Sequence, residues 1–184
     1  KLEEQAAPFD PVYHLGQQVM GVEKLVDESF KVKTSTGNEI TCKAVIIAAG
    51  CGAFGPNRPP LDGLEQYEGT SIFYMVTQKE SLRGKRVAIA GGGDSAVDWA
   101  LLLADVAEHV YFIHRRPKFR AAPDNVAKLH KLAEEGKIEL VVPYQLDALE
   151  GEGAQLSAVQ VKTLDGEVKK LDAQVLLPFF GLAM

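Results

Sequence analysis

A strand, a glycine turn, a helix and a second strand follow one another within residues 85–116, and this unit constrains the fold more than any other part of the chain. The short apolar run RVAIA at 86–90 predicts a buried parallel strand. Three glycines at 91–93 end it, and residues 94–107 carry apolar side chains at helical spacing. The run VYFI at 110–113 predicts a second strand. A βαβ unit has this order and a length of about 30 residues, so we predict an α/β protein with a Rossmann-like parallel sheet.

The residues after this unit are predicted to add a helix, a third parallel strand and an antiparallel β-meander. The helix covers 123–135, where Gly136 suits the C-terminal stop, and the third strand covers 138–142. Alternating polar and apolar residues predict the meander, with Asp165-Gly166 as a hairpin turn. The predicted strands of the meander are 145–149, 158–162 and 168–171. A continuous apolar run at 175–180 predicts a last buried strand.

Two segments of the chain share one pattern, FKVKTSTGNEITCKAVIIAAG at 30–50 and VQVKTLDGEVKKLDAQVLLPFFG at 159–181. Each has an alternating strand, a turn with glycine, a second polar strand, a continuous apolar strand and a final glycine. Two copies of one architecture explain this pattern, and convergent hairpin design is the alternative. Residues 1–29 contain no glycine-rich turn that would precede the first copy. We therefore expect the chain to be a piece of a larger protein with two nucleotide sites.

Composition excludes several functional classes. The 184 residues are 46% hydrophobic and 24% charged, which is typical of soluble globular proteins. A net charge of −5 argues against a nucleic-acid partner, and no apolar run approaches the roughly 20 residues that a membrane span needs. Cys42 and Cys51 are the only cysteines and are too far apart for a CxxC motif. We expect two free thiols in a reducing cytoplasm.

The glycine turn fits the pattern GxGxxA, which is typical of dinucleotide sites when it lies between a strand and a helix. Gly91 would allow the tight turn, Gly93 would let a pyrophosphate approach the backbone, and Ala96 would keep the helix close to the strand. Asp94 or Ser95 would cap the helix. The free N–H groups and positive dipole end of the helix would attract phosphate. The candidate site residues here are Gly91, Gly92, Gly93, Asp94, Ser95 and Ala96.

Cations follow the second strand at the position where NAD-binding folds have an acid. That acid accepts hydrogen bonds from the ribose hydroxyls about 20 residues beyond the glycines. Here the distance leads to HRRPKFR at 114–120, which has no Asp or Glu. An acid would repel a 2′-phosphate, whereas guanidinium groups bind it through charge-assisted hydrogen bonds. We assign Arg115, Arg116 and Arg120 to the 2′-phosphate of NADP(H), and expect His114 or an arginine plane to contact the adenine.

These two motifs resemble those of thioredoxin-reductase-like flavoproteins. The segment GGGDSAVDWALLL, followed by HRRPKFRA, is similar to the NADPH-binding domain of that family, whose motif is approximately HRRxxFRA. The strands AVIIAAG at 44–50 and AQVLLPFFGL at 173–182 resemble those where the family's chain leaves and re-enters the FAD domain. The resemblance spans nearly the whole chain and implies a flavoprotein with two dinucleotide-binding domains.

One departure from the family pattern concerns its redox cysteines. Thioredoxin reductases of this family carry a CxxC before the glycine turn, but the matching stretch SIFYMV at 71–76 has no cysteine. Without two thiols the protein cannot reduce a disulfide by thiol exchange, which excludes thioredoxin reduction. The cysteine-free branch is similar to ferredoxin (or flavodoxin)–NADP reductases of thioredoxin-reductase type. The pair Asp98-Trp99 also resembles that branch.

The resemblance implies a division of the chain and a set of cofactors. Residues 1–60 would be the end of the first FAD-domain segment, with partial FAD-domain strands, and residues 61–184 the NADPH-binding domain. The resemblance implies NADP(H), FAD in the intact protein but not in this fragment, a ferredoxin or flavodoxin partner, a homodimer and a cytoplasmic location. No catalytic side chain and no metal site are assigned. Two alternatives stay open: a non-catalytic NADP-sensing module, and a reductase of the same superfamily with another acceptor.

Overall fold

The chain divides into two compact units, residues 1–50 and 51–184. The computed structural model describes residues 2–49 of the first unit and 55–181 of the second, so Gly50, Cys51 and Leu182 lie outside the described residues.

The helices are α1 (Leu2–Ala6), α2 (Asp94–Leu103) and α3 (Pro123–Glu134), with short 3-10 turns at Ala7–Phe9, Leu64–Gln66 and Lys79–Leu82. The strands are β1 (Val19–Lys24), β2 (Phe30–Thr34), β3 (Glu39–Cys42), β4 (Arg86–Ala90), β5 (His109–Ile113), β6 (Ile138–Val141), β7 (Gln145–Glu152), β8 (Gln155–Lys162), β9 (Val168–Leu171) and β10 (Val175–Pro178).

A four-stranded parallel sheet in the order β10-β4-β5-β6 forms the centre of the second unit. Its central strand β4 is buried on both faces because layers cover the sheet on each side. Val87 and Ile89 belong to the core shared with α2 and α3, whereas Ala88 and Ala90 belong to the core on the opposite face. Burial on both faces explains why β4 is a continuous apolar run and not an alternating one.

The second face of the parallel sheet packs against the antiparallel meander β7-β8-β9. Val159, Val161 and Leu171 of this meander are buried in one cluster with Leu176 of β10. The unit therefore has three layers, with helices, parallel sheet and meander in that order. The predicted α/β class, with a Rossmann-like parallel sheet and a β-meander, is confirmed. No helix among the described residues is long and apolar enough to cross a membrane.

Helix α2 ends at Leu103, four residues before the predicted end at 107. Hydrogen bonds to the loop before β4 stop it: the Gly84 amide donates to Val106 at 3.1 Å and the Glu108 amide donates to Lys85 at 3.0 Å. These bonds draw the chain into the start of β5. Alanine and valine residues follow Leu103 and extend the apolar pattern, so the sequence predicts a longer helix than the structure has.

The first unit is a three-stranded antiparallel sheet, β1-β2-β3. Its last two strands match the repeat, but β1 was not predicted. The predicted apolar strand at 44–49 is wrong, because no strand is assigned there and Ile46 and Ile47 are 90% and 86% exposed. In the second copy the equivalent strand β10 is hydrogen-bonded to β4. No parallel neighbour of that kind exists among the described residues of the first unit, and a lone strand has nothing to bind its backbone.

Candidate functional site

The glycine turn begins where β4 ends, and its first glycine is closely surrounded. The Gly91 amide donates to Ile113 at 3.1 Å. A Cβ atom at Gly91 would lie 2.8 Å from the Cβ of Ala96 and 2.9 Å from the carbonyl oxygen of Phe179. Ala96 itself is fully buried. Any larger side chain at either position would therefore push α2 away from the sheet.

The next two glycines differ in what surrounds them. A Cβ atom at Gly92 would lie 2.3 Å from Cε1 of His114, so the imidazole ring covers this position. The Gly92 carbonyl accepts the amide of Arg120 at 2.7 Å, which ties the glycine turn to the basic loop. A Cβ atom at Gly93 would meet no heavy atom of the described residues within 4 Å. The backbone at Gly93 is thus open to a ligand, as the sequence predicts for a phosphate.

Neither Asp94 nor Ser95 caps α2, so that prediction is wrong. The N-cap residue is Gly93, and no side chain bonds to the first turn. Oδ1 of Asp94 instead accepts the amide of Ala122 at 2.8 Å, just before α3. The carboxylate is turned toward the neighbouring helix and leaves the start of α2 uncapped. Free N–H groups at a helix start are suited to bind an anion.

The loop at 114–120 holds four cations, and none of them has a carboxylate partner among the described residues. Arg115, Arg116, Lys118 and Arg120 are all exposed. Other cations of the same unit do form ion pairs, as Lys137 does with Asp105 at 2.8 Å. Four like charges without counterions repel one another, and a bound anion would relieve that repulsion.

His114 lies between the glycine turn and this loop. Its ring centroid is 5.4 Å from that of Phe119. Burial lowers the pKa of His114, and the nearby charges of Arg120, Arg115 and Arg116 lower it further. Its ordinary value is 6.5, so the imidazole is neutral at pH 7. His114 therefore shapes the site at that pH without adding to its positive charge.

A cleft of about 640 Å³ joins these groups at the carboxyl ends of β4, β5 and β10. Of the predicted site residues, Gly91, Gly92, His114, Arg115, Arg116 and Arg120 line it. Gly93, Asp94, Ser95 and Ala96 do not; they continue from the same turn into α2. Ligands of open parallel sheets bind beyond the carboxyl ends of the strands, which is where this cleft lies.

Several lining residues were not predicted from the sequence. They are Asn57, Pro59, Pro60, Ala90, Ile113, Lys118, Tyr144, Gln145, Leu146, Asp147, Lys162, Phe179 and Phe180. Lys118 stood inside the basic motif and could have been included on its charge. Phe179 directly follows β10 and Tyr144 lies three residues after the end of β6, so the rule that ligands bind at strand ends could have found both. No local sequence pattern predicts Asn57, because hydrogen bonds to residues distant in the chain bring it to the cleft. Its amide donates to Gly181 at 2.9 Å and its side chain donates to Phe180 at 3.1 Å.

The arrangement of glycine turn, basic loop and cleft agrees with a family pattern that covers most of the chain. The pattern of the pyridine nucleotide-disulphide oxidoreductases matches residues 10–183. The chain belongs to that family. Among sequence relatives, the ferredoxin–NADP reductase of Paramagnetospirillum magneticum is 62% identical over 183 residues, and that of Rhodospirillum rubrum is 59% identical over 186 residues. Each alignment covers 100% of this chain and 54% of the relative, so the chain spans about half the length of the curated relatives it matches.

Solved structures place this family member among thioredoxin-reductase-type proteins. The thioredoxin reductase of Lactococcus lactis has a TM-score of 0.76 and 27% identity, covering 98% of this chain and 59% of that one. The thioredoxin reductase of T. acidophilum has a TM-score of 0.79 at 24% identity, covering 98% of this chain and 57% of that one, and it shows the fold alone. The resemblance to thioredoxin-reductase-like flavoproteins is therefore confirmed. The division at residue 60 and the roles of the single site residues stay predictions.

Proposed function

We propose that this chain is the NADP(H)-binding part of an FAD-dependent oxidoreductase that passes electrons between NADP(H) and ferredoxin or flavodoxin. One observation carries the proposal: Arg115, Arg116, Lys118 and Arg120 line the cleft beside the glycine turn and have no carboxylate partner among the described residues. A ligand that brings an extra phosphate fits this cleft better than one that ends in free ribose hydroxyls.

Two parts of NADP(H), the pyrophosphate and the 2′-phosphate, have matching groups in or beside the cleft. The pyrophosphate would bind at the start of α2, where Gly93 has open space and the first N–H groups lack a side-chain cap. The 2′-phosphate would bind to Arg115, Arg116 and Arg120. NADPH, when bound, supplies a hydride, and this chain's residues bind and orient the nucleotide.

The proposed acceptor depends on the relatives' names and on the cysteine count. The sequence relatives are ferredoxin–NADP reductases, whereas solved neighbours include thioredoxin reductases. This chain has no cysteine between residues 52 and 184, so its glycine-turn unit contains no dithiol before the turn. Thiol exchange needs two thiols, which favours a one-electron carrier over thioredoxin as the partner.

The intact protein would hold FAD, form a homodimer and work in the cytoplasm. FAD follows from the thioredoxin-reductase-type fold, and the flavin would divide the hydride's electron pair into single electrons. Cys42 is a free thiol among the described residues, and a cytoplasmic location would keep it reduced. We expect this fragment to bind the nucleotide without turnover, because among the described residues the glycine turn at 91–93 is the only one that lies between a parallel strand and a helix.

Titration of the chain with NADPH and NADH tests the nucleotide assignment. Two or three charge-assisted bonds to the 2′-phosphate predict that NADPH binds at least about 100-fold tighter than NADH. Equal affinities would contradict the proposal.

Reduction assays on the longer protein that contains this chain test the acceptor. We expect NADPH to drive reduction of ferredoxin and not of thioredoxin. Tight NADPH binding without electron transfer to any carrier would favour an NADP-sensing module, and transfer to a different acceptor would favour another reductase of the superfamily.

A further inference from the structure

Tyr144 is an aromatic residue of the cleft that is held at both its backbone and its side chain. It follows β6, and its amide donates to the carbonyl oxygen of His114 at 3.1 Å. Its hydroxyl donates to Oε1 of Glu167 at 2.9 Å. Glu167 is held in turn by bonds in both directions to Thr163, at 2.9 Å and 3.1 Å. Two hydrogen bonds, one from the backbone amide and one from the hydroxyl, therefore orient Tyr144.

Tyr144 lines the same cleft as the basic loop. The hydrogen bond from its amide to the His114 carbonyl places Tyr144 beside the residue that precedes Arg115 and Arg116. Leu146 adds apolar surface next to it, and Lys162 is already neutralised by an ion pair with Asp147. This wall of the cleft thus offers flat and apolar surface beside a cluster of unpaired cations.

His114 is less suited to carry a base, because its ring is already occupied. It covers Gly92, with three ring atoms 2.3–2.6 Å from the place of a Cβ atom, and its centroid is 5.4 Å from that of Phe119. The arginines lie on an exposed loop without fixed partners. Among the cleft residues named, Tyr144 is the aromatic group with a hydrogen-bonded anchor and a free place in the lining.

We propose that Tyr144 is the platform on which the adenine ring of the nucleotide stacks, and that Glu167 is the positioning residue that fixes its orientation. This inference rests on the proposed function and deepens it, since it names the group that binds the base while the arginines bind the phosphate. A flat aromatic side chain can stack on the face of any base. Because hydrogen bonds already orient Tyr144, its side chain loses little conformational entropy when a base binds. The hydrogen bond to Glu167 raises the pKa of Tyr144, so the hydroxyl stays protonated and remains a donor at neutral pH.

The first test is calorimetric titration of the full 184-residue chain with 2′,5′-ADP and with ADP. Tyr144→Ala should raise the Kd for both probes by about 10-fold and by the same factor, because it removes base stacking and leaves the phosphate contacts. Unchanged affinity for both probes would overturn the inference. A wild-type chain that binds the two probes equally would instead contradict the proposed 2′-phosphate site, whatever Tyr144 does.

The second test separates a positioning role from general packing. Tyr144→Phe and Glu167→Ala each remove the Tyr144–Glu167 hydrogen bond and keep an aromatic ring at residue 144, so each should raise the Kd by about 3-fold. The Kd of the double variant should be no higher than that of either single variant. Glu167→Gln keeps an acceptor and should restore wild-type affinity. Additive losses in the double variant would overturn the role of Glu167.

Tyr74→Phe is the matched control. The Tyr74 hydroxyl also donates to a carboxylate, Oε1 of Glu68 at 2.6 Å, and the residue is half-buried, but it does not line the cleft. We expect this variant to bind 2′,5′-ADP as the wild type does. A loss as large as that of Tyr144→Phe would show that removing any such hydroxyl weakens binding, and would overturn the inference.

Discussion

Gly92 and Gly93 are neighbours in the chain, yet different constraints keep each of them small. At Gly92 the constraint is internal, because the ring of His114 occupies the space of a side chain. At Gly93 the protein leaves the space open, and the backbone conformation, φ −99° and ψ −179°, is ordinary for any residue. Folding therefore explains the first glycine, whereas no described residue within 4 Å requires the second, and the phosphate site proposed above would require it.

Alanine substitutions separate the two constraints. Gly92→Ala must displace His114 and should lower the free energy of unfolding by about 1–3 kcal/mol. Gly93→Ala should leave that free energy within about 0.5 kcal/mol of wild type and raise the Kd for NADPH by about 10-fold, because the new methyl group enters the phosphate site. Urea denaturation and nucleotide titration measure both. Gly93→Ala with wild-type affinity would mean that the pyrophosphate binds elsewhere.

At the scale of elements, Asp94 joins α2 to α3 and does not cap its own helix. Its carboxylate accepts a hydrogen bond from the amide of Ala122, the N-cap residue of α3. In a capping box the side chain of the third helical residue satisfies this same amide, so Asp94 takes that role from a different helix. Asp98 adds a second link at 2.8 Å to Asn125. These two bonds hold the basic loop's exit against the helix that starts at the glycine turn.

Asp94→Ala should therefore reduce stability and leave the choice of nucleotide unchanged. Loss of a cap costs about 1 kcal/mol of unfolding free energy, and Asp94→Asn, which keeps an acceptor, should recover most of it. Chemical denaturation measures the loss, and the ratio of Kd values for NADH and NADPH reports the preference. If Asp94→Ala abolished that preference at wild-type stability, Asp94 would contact the ligand directly.

Elements with a strong local signal were predictable, and those that depend on distant partners were not. The predicted strands at 86–90 and 168–171 match β4 and β9, because glycines or turns in the sequence mark the ends of these strands. The strand at 44–49 failed because its apolar pattern needs a parallel neighbour that the described residues do not supply. In the site, the basic motif predicts the arginines and the end of β6 points to Tyr144, whereas Asn57 carries no motif and reaches the cleft only through tertiary hydrogen bonds.

At the scale of the whole molecule, the two units differ in how much they bury. Of residues 3–49, only Thr34 is buried, whereas the second unit has a core on both faces of its parallel sheet. Burial of apolar surface is the main stabilising term in folding. The cleft thus lies on the unit that holds most of the buried core of the described residues.

Charge is also unevenly distributed. The sequence has a net charge of −5, yet the cleft holds four cations without carboxylate partners among the described residues. The local positive field attracts a small anion to the cleft, whereas the net negative charge of the whole chain disfavours a larger polyanion. We infer that this field binds the phosphate that distinguishes NADP(H) from NAD(H).

The most direct test is the ratio of the Kd values for NADH and NADPH in the wild type and in the double variant Arg115→Ala/Arg116→Ala. Lys128→Ala, an exposed cation outside the cleft, is the control and should keep the wild-type ratio. We predict that the double variant lowers the ratio from about 100 or more to near 1, almost entirely through weaker NADPH binding. A ratio that stays at its wild-type value, with both nucleotides weakened equally, would contradict the account.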